Sequence, residues 1–188
     1  MPPARNLPPG YTVIRPNRDK AVCKATKAIV VLILLISVGL MLIITIGGWS
    51  KLQGLKPVNF AWSLVYVIFA FYIFRWARGL LPIAAALAIL LLILSLIAGT
   101  GISGTSWFDR NHFGFAAPHT LFGGKGLSPD FLGTLTLIIA PVQVLLIFFA
   151  MRGFAQGWNV ELEVPVEEAE RRRTGGSPAP PPPEPAAA

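Results

Sequence analysis

Four stretches of this chain, residues 28–50, 57–74, 79–108 and 131–151, contain no charged residue. A helix rises about 1.5 Å per residue, so about 20 apolar residues cross a hydrocarbon layer about 30 Å thick. Each stretch holds a run suited to that task. AIVVLILLISVGLMLIITI fills 28–46, VNFAWSLVYVIFAFYIF 58–74, LLPIAAALAILLLILSLIA 80–98 and FLGTLTLIIAPVQVLLIFFAM 131–151. Strands of a membrane barrel alternate apolar and polar residues over about ten positions, and these runs do not. The expected fold class is therefore all-α: a polytopic integral membrane protein with four transmembrane helices.

Composition agrees, since only 13% of the residues are charged and 54% are apolar, against about 25% charged in soluble domains. The first run is expected to be a retained span rather than a cleaved signal, because its 19 residues exceed an h-region of about 7–15 and GGWSKLQG after it lacks a small-x-small site.

A net charge of +7 could suggest nucleic acid, but the distribution of the positives points to topology instead. Six Lys and Arg precede the first run, two lie in each of the three loops and four follow the last run. With both termini cytoplasmic, the inner side carries twelve and the outer side four, as the positive-inside bias requires. The expected location is the cell membrane, with no nucleic-acid partner. The expected organisation is a basic N-terminal arm over 1–27, a transmembrane domain over 28–152 with an outer loop at 100–130, and a charged, proline-rich cytoplasmic tail over 153–188.

In the arm, PPARNLPPG reads as unpacked chain. Arg15, Arg18, Lys20, Lys24 and Lys27 follow and are candidates for anionic lipid headgroups, each contributing about 1 kcal/mol near the surface. Orientation alone also accounts for them. Cys23 is the one cysteine, so no intrachain disulfide forms; acylation there is conceivable for a juxtamembrane thiol, and a free thiol is the simpler reading.

RWARG at 75–79 makes the second and third spans an antiparallel hairpin. The second is rich in aromatics and the third in alanine. Ala84 and Ala88, in small-xxx-small spacing, are the expected helix contact, because close approach of small residues supplies much of the packing in lipid. Gly153 and Gly157 form a weaker GxxxG at the membrane edge. Beyond it, residues 159–166 alternate in polarity and suggest a short extended segment, and Glu167 and Glu168 sit four residues before Arg171 and Arg172, which favours a turn or two of helix. From about Thr174 the chain reads as disordered or polyproline-like.

Spans that move ions or protons carry buried ionisable groups, and these spans have none. Gln143 is the intramembrane polar residue that needs a partner, with Pro141 freeing a backbone carbonyl about one turn back. It is expected either to bond a neighbouring helix or to line a pore. A path along the fourth span is weakened by Thr134 and Thr136, which stand about 200° apart on a helix.

No GxSxG, Walker A, HExxH or paired-cysteine motif occurs, so catalysis is not expected, nor is a cofactor. Asp109, His112 and His119 in the outer loop are weak candidates for a metal, at unspecific spacing and with Pro118 between them. The same loop holds Trp107, Phe108, Phe113, Phe115 and Phe122 among glycines, a composition that fits an ordered segment lying on the headgroup layer. The leading functional expectation is a non-enzymatic membrane protein acting through helix contacts, membrane lipids, or a membrane-protein partner or homo-oligomer. The alternatives are a small oligomeric channel or transporter, and a metal-dependent activity at the outer loop.

Overall fold

A computed structural model describes residues 8–52, 56–100, 120–121, 123–124 and 126–174. The chain is mostly helical, and four helices are long and apolar enough to span a membrane. In chain order the elements are β1 (Tyr11–Ile14), α1 (Pro16–Asp19), α2 (Ala21–Gly47), α3 (Lys56–Phe74), α4 (Leu80–Thr100), α5 (Pro129–Ala155), β2 (Leu162–Pro165) and α6 (Val166–Arg173).

Each long helix buries one stripe and leaves the rest of its apolar surface uncovered. On α2 the stripe runs Cys23, Thr26, Val30, Ile33, Ser37, Met41 and Ile44, and on α4 Leu81, Ala84, Ala88, Leu91 and Ser95, the three-and-four spacing of a helix face. The opposite faces carry Leu32, Leu35, Leu64, Phe71, Ile93 and Phe148 in the open. Apolar surface so continuous needs a non-aqueous surrounding.

The bundle is ordered α3, α2, α5, α4. α2 packs on both α3 and α5, and the most extensive interface is α4 on α5. This corrects the expectation that the aromatic second span lies along the alanine-rich third: α3 and α4 meet only slightly. The physical reason is size. A Cβ added to Gly99 would stand 2.6 Å from Leu137 Cγ and 3.1 Å from the Gly133 carbonyl oxygen, and one on Gly153 would stand 3.2 Å from Leu81 Cδ1. These two approaches fix the antiparallel register of α4 on α5. It sets Ala84 opposite Ala150 and Ala88 opposite Leu146, all four fully buried. The small residues of α4 thus receive α5, whose side of the contact mixes Gly133, Ala150 and Gly153 with Leu137 and Leu146, and the ring-rich α3 is left to α2.

The mostly helical architecture carries one small addition among the described residues. β1 and β2 form a two-stranded antiparallel sheet in which Tyr11 faces Pro165 and Ile14 faces Leu162. The N-terminal segment is therefore not wholly unpacked: the alternating residues after α5 need a partner strand, and Tyr-Thr-Val-Ile, four strand-prone residues, supplies it. α6 carries one of the anticipated pairs, Arg172 to Glu168 at 2.6 Å.

At the other end of the bundle, Ser128 caps α5, its Oγ accepting from the Phe131 N–H at 3.3 Å. The Leu127 N–H donates to the Gly47 carbonyl at 3.0 Å, and its side chain fills the space a Cβ on Gly47 would need. The end of the long loop is thereby fastened to the end of α2.

Candidate functional site

Two polar constellations lie inside this frame. The first is within the spans. Gln143 is fully buried on α5 and bridges two other helices: its Oε1 accepts from the Tyr66 hydroxyl on α3 at 2.9 Å, and its Nε2 donates to Ser37 Oγ on α2 at 2.9 Å. Ser37 in turn donates to the Ile33 carbonyl at 2.9 Å. Both ends of the carboxamide have protein partners, so the group is satisfied without water. Thr136 is buried and donates to the Leu132 carbonyl, whereas Thr134 faces outward and donates to Asp130. The two threonines point to different sides, as their spacing requires.

Leucine at 143 removes both interhelical bonds, worth about 0.6 kcal/mol each in membrane proteins, and strands the Tyr66 hydroxyl, which adds about 1–3 kcal/mol. Gln143→Leu is accordingly expected to destabilise the bundle by about 2–4 kcal/mol in an SDS titration from mixed micelles. A Gln143→Leu, Tyr66→Phe double variant is expected to recover part of that loss. An unchanged midpoint in the single variant contradicts the bridge.

The second constellation closes the end of the bundle where the N-terminal segment, the 75–79 loop and the C-terminal segment meet. α5 stops at Ala155, and Gly157 turns the chain back with φ at 61°, a conformation glycine adopts without strain. Trp158 is thereby folded under the helices, fully buried, with its ring 5.4 Å from that of Trp76 at 89°. Its indole N–H donates to Gln156 Oε1 at 2.9 Å, and Gln156 Nε2 donates to Thr26 Oγ1 at 2.8 Å. Asn17 Nδ2 donates to the Gln156 and Gly157 carbonyls at 3.2 and 3.0 Å. Gly153 and Gly157, the sequence's GxxxG, therefore serve the chain's own turn: a Cβ on Gly153 would stand 2.9 Å from Trp158 Cζ2.

This closure uses most of the residues proposed for lipid headgroups. Arg15 pairs with Glu161 at 2.6 Å. Arg18 donates to Asn159 Oδ1 at 2.7 Å and to the Trp158 carbonyl at 3.4 Å. Burial, and after it the neighbouring Arg15, pull the Arg18 guanidinium below its usual pKa, opposed by Glu161; it stays charged.

Lys27 donates to the Phe74 carbonyl at 3.2 Å and lies 4.0 Å from the Trp76 ring centroid. Phe74 ends α3, so Lys27 caps the negative end of that helix dipole. Arg78 does the same for α5, donating to the Phe154 carbonyl at 2.7 Å with its guanidinium 4.3 Å over the Phe154 ring. Lys20 and Lys24 are exposed. Cys23 is buried, 4% exposed, which shields its thiol from acylation. Lys27→Met is expected to lower stability by about 0.3–1 kcal/mol, reaching about 2 only with full desolvation. Lys24→Met is expected to leave the midpoint unmoved.

Trp76 holds φ at 69°, the one positive value among non-glycine described residues. Such strain persists only where packing imposes it, and the Trp158 ring with the Lys27 and Arg18 cations surrounds this side chain. Sequence reading missed Trp158, Gln156 and Asn17. The signal available was Gly-Trp directly after an apolar helix, with a second tryptophan in the facing loop.

Asp109, His112 and His119, together with Trp107, Phe108, Phe113, Phe115 and Phe122, lie outside the described residues, as do 1–7 and the proline-rich 175–188. Among the described residues no group of three His, Cys, Asp or Glu is placed to hold a metal. Comparison of the chain with protein-family models, curated proteins and solved structures finds no match.

Proposed function

We propose that the chain is a non-enzymatic, multi-pass protein of the cell membrane with both termini cytoplasmic, and that it acts through contacts of its helix faces with lipids or a partner membrane protein. The observation that carries this reading is the Ser37–Gln143–Tyr66 bridge. The fully buried carboxamide of Gln143 is spent on holding three helices together, and the outward faces are apolar almost without interruption. Lys20 and Lys24, exposed at the start of α2, remain the residues for anionic headgroups.

The test is purification from mild detergent with lipid analysis and cross-linking. The reading expects retained phospholipid, an oligomer or a recurrent partner. Repeated recovery of a lipid-free, partner-free monomer contradicts it. A channel around α5 is the rival, and vesicle flux separates the two: the proposal expects flux no greater than in empty vesicles, and unchanged by Gln143→Leu.

A further inference from the structure

A cleft of about 790 Å³ lies between the β1–α1 segment and α6, within the range of about 300–1,000 Å³ usual for small-molecule sites. Three arginines line it, Arg15 and Arg18 from one side and Arg172 from the other. Val13 and Ala169, both half-buried, add apolar wall, and Asp19 is the one carboxylate in the lining.

Each guanidinium is held along the same edge. Arg15 gives Nε and Nη2 to Glu161 Oε1 at 3.2 and 2.6 Å, and Arg172 gives the same two nitrogens to Glu168 Oε1 at 3.1 and 2.6 Å. Arg18 gives them to the Trp158 carbonyl and Asn159 Oδ1 at 3.4 and 2.7 Å. In all three, Nη1 makes no hydrogen bond to a described residue. A guanidinium has five N–H donors, so both on Nη1 are left unused by a group whose direction the chain has already fixed.

Glu161 and Glu168 lie outside the lining, and the acceptors of Arg18 are neutral. Burial, and after it the charge of Arg15, lower the Arg18 pKa. The two cations therefore repel one another, and an oxyanion placed between them relieves that repulsion.

Charge and shape narrow the ligand. A phosphomonoester carries about −1.5 to −2 at pH 7 and offers three strongly accepting oxygens, one for each Nη1. Arginine suits it because the planar fork matches phosphate geometry. A phosphodiester brings less charge and fewer free oxygens. The cleft is also larger than phosphate alone requires, which leaves room for the organic group.

We propose that this cleft binds a phosphomonoester, the phosphate accepting from Nη1 of Arg15, Arg18 and Arg172 and the organic group lying against Val13 and Ala169. Its source, a soluble ester or the headgroup of phosphatidic acid, is decided by the test.

The full chain in phosphatidylcholine nanodiscs is titrated with radiolabelled glycerol 1-phosphate, and with its methyl diester as the control of lower charge. Saturable binding of the monoester is expected, with the diester about tenfold weaker. Arg172→Gln is expected to weaken the monoester about tenfold. Arg171→Gln makes the same charge change on α6 outside the lining and is expected to leave binding unchanged. Ala169→Glu keeps all three arginines but sets a carboxylate in the wall, and is expected to lose as much as Arg172→Gln. Suppression of glycerol 1-phosphate by phosphatidic acid in the discs, and not by phosphatidylglycerol, assigns the site to headgroups; suppression by neither assigns it to a soluble ester. Equal loss in Arg171→Gln and Arg172→Gln overturns the proposal, as do equal affinity for monoester and diester, equal suppression by the two lipids, or no saturable binding. The glycerol 1-phosphate titration reads the same in detergent, so its failure is distinct from failure of the membrane reading above.

Discussion

Trp158→Ala is expected to destabilise the protein by about 3–5 kcal/mol, the usual cost of emptying a fully buried tryptophan site. Its indole stands on Gly153, meets Trp76 edge to face and fixes Gln156, which reaches Thr26 on α2. The loss is expected to be local in structure although large in energy. Without Trp158 the Asn17 and Arg18 bonds lose their fixed carbonyls, and the β1–β2 pair, too small to persist alone, separates. Limited proteolysis reads this directly: cleavage near Arg15, Arg18 and Arg171 is expected to accelerate in vesicles while the four long helices stay protected. Trp158→Phe keeps the packing, loses one hydrogen bond and is expected to cost about 1–2 kcal/mol. Equal effects of the two variants contradict the packing role.

The second large effect is expected at the α4–α5 contact. Ala84→Leu and Ala88→Leu each force a larger side chain into a fully closed interface, at about 1–3 kcal/mol each. They sit one turn apart in the same seam, so the double variant is not expected to be additive. The internal control is Ala86→Leu. That alanine belongs to the same helix and faces outward, so its replacement is expected to stay within about 0.5 kcal/mol of the parent. An SDS titration ranking Ala86→Leu with the other two contradicts the register that sets Ala84 against Ala150.

The four helices were legible because charge exclusion over 18 or more residues leaves few alternatives, and their register in sequence needed no tertiary information. The bridging role of Gln143 was legible in part. A carboxamide in hydrocarbon must find a partner, but periodicity could not name Tyr66 and Ser37, which lie 77 and 106 residues away. Helix neighbours were misjudged for a related reason. A five-residue connection makes α3 and α4 antiparallel, yet side-chain size decides contact, and the small face of α4 fits the approach of α5. The closure around Trp158 escaped because each of its parts is ordinary by itself: an arginine before a span, a glycine after one, a short alternating stretch. Only their meeting makes a site, in which three of the basic residues singled out for headgroups, Arg15, Arg18 and Lys27, also make polar contacts within the chain.

Sidedness is the claim on which the rest stands, and single-cysteine accessibility on intact expressing cells tests it most directly. Cys23→Ser removes the chain's one cysteine. Into that background go Leu121→Cys, in the exposed part of the long loop, and Glu170→Cys, on α6. An impermeant maleimide is predicted to label the first on intact cells and the second only after permeabilisation. Labelling of Glu170→Cys from outside, or of both sites alike before permeabilisation, contradicts the topology.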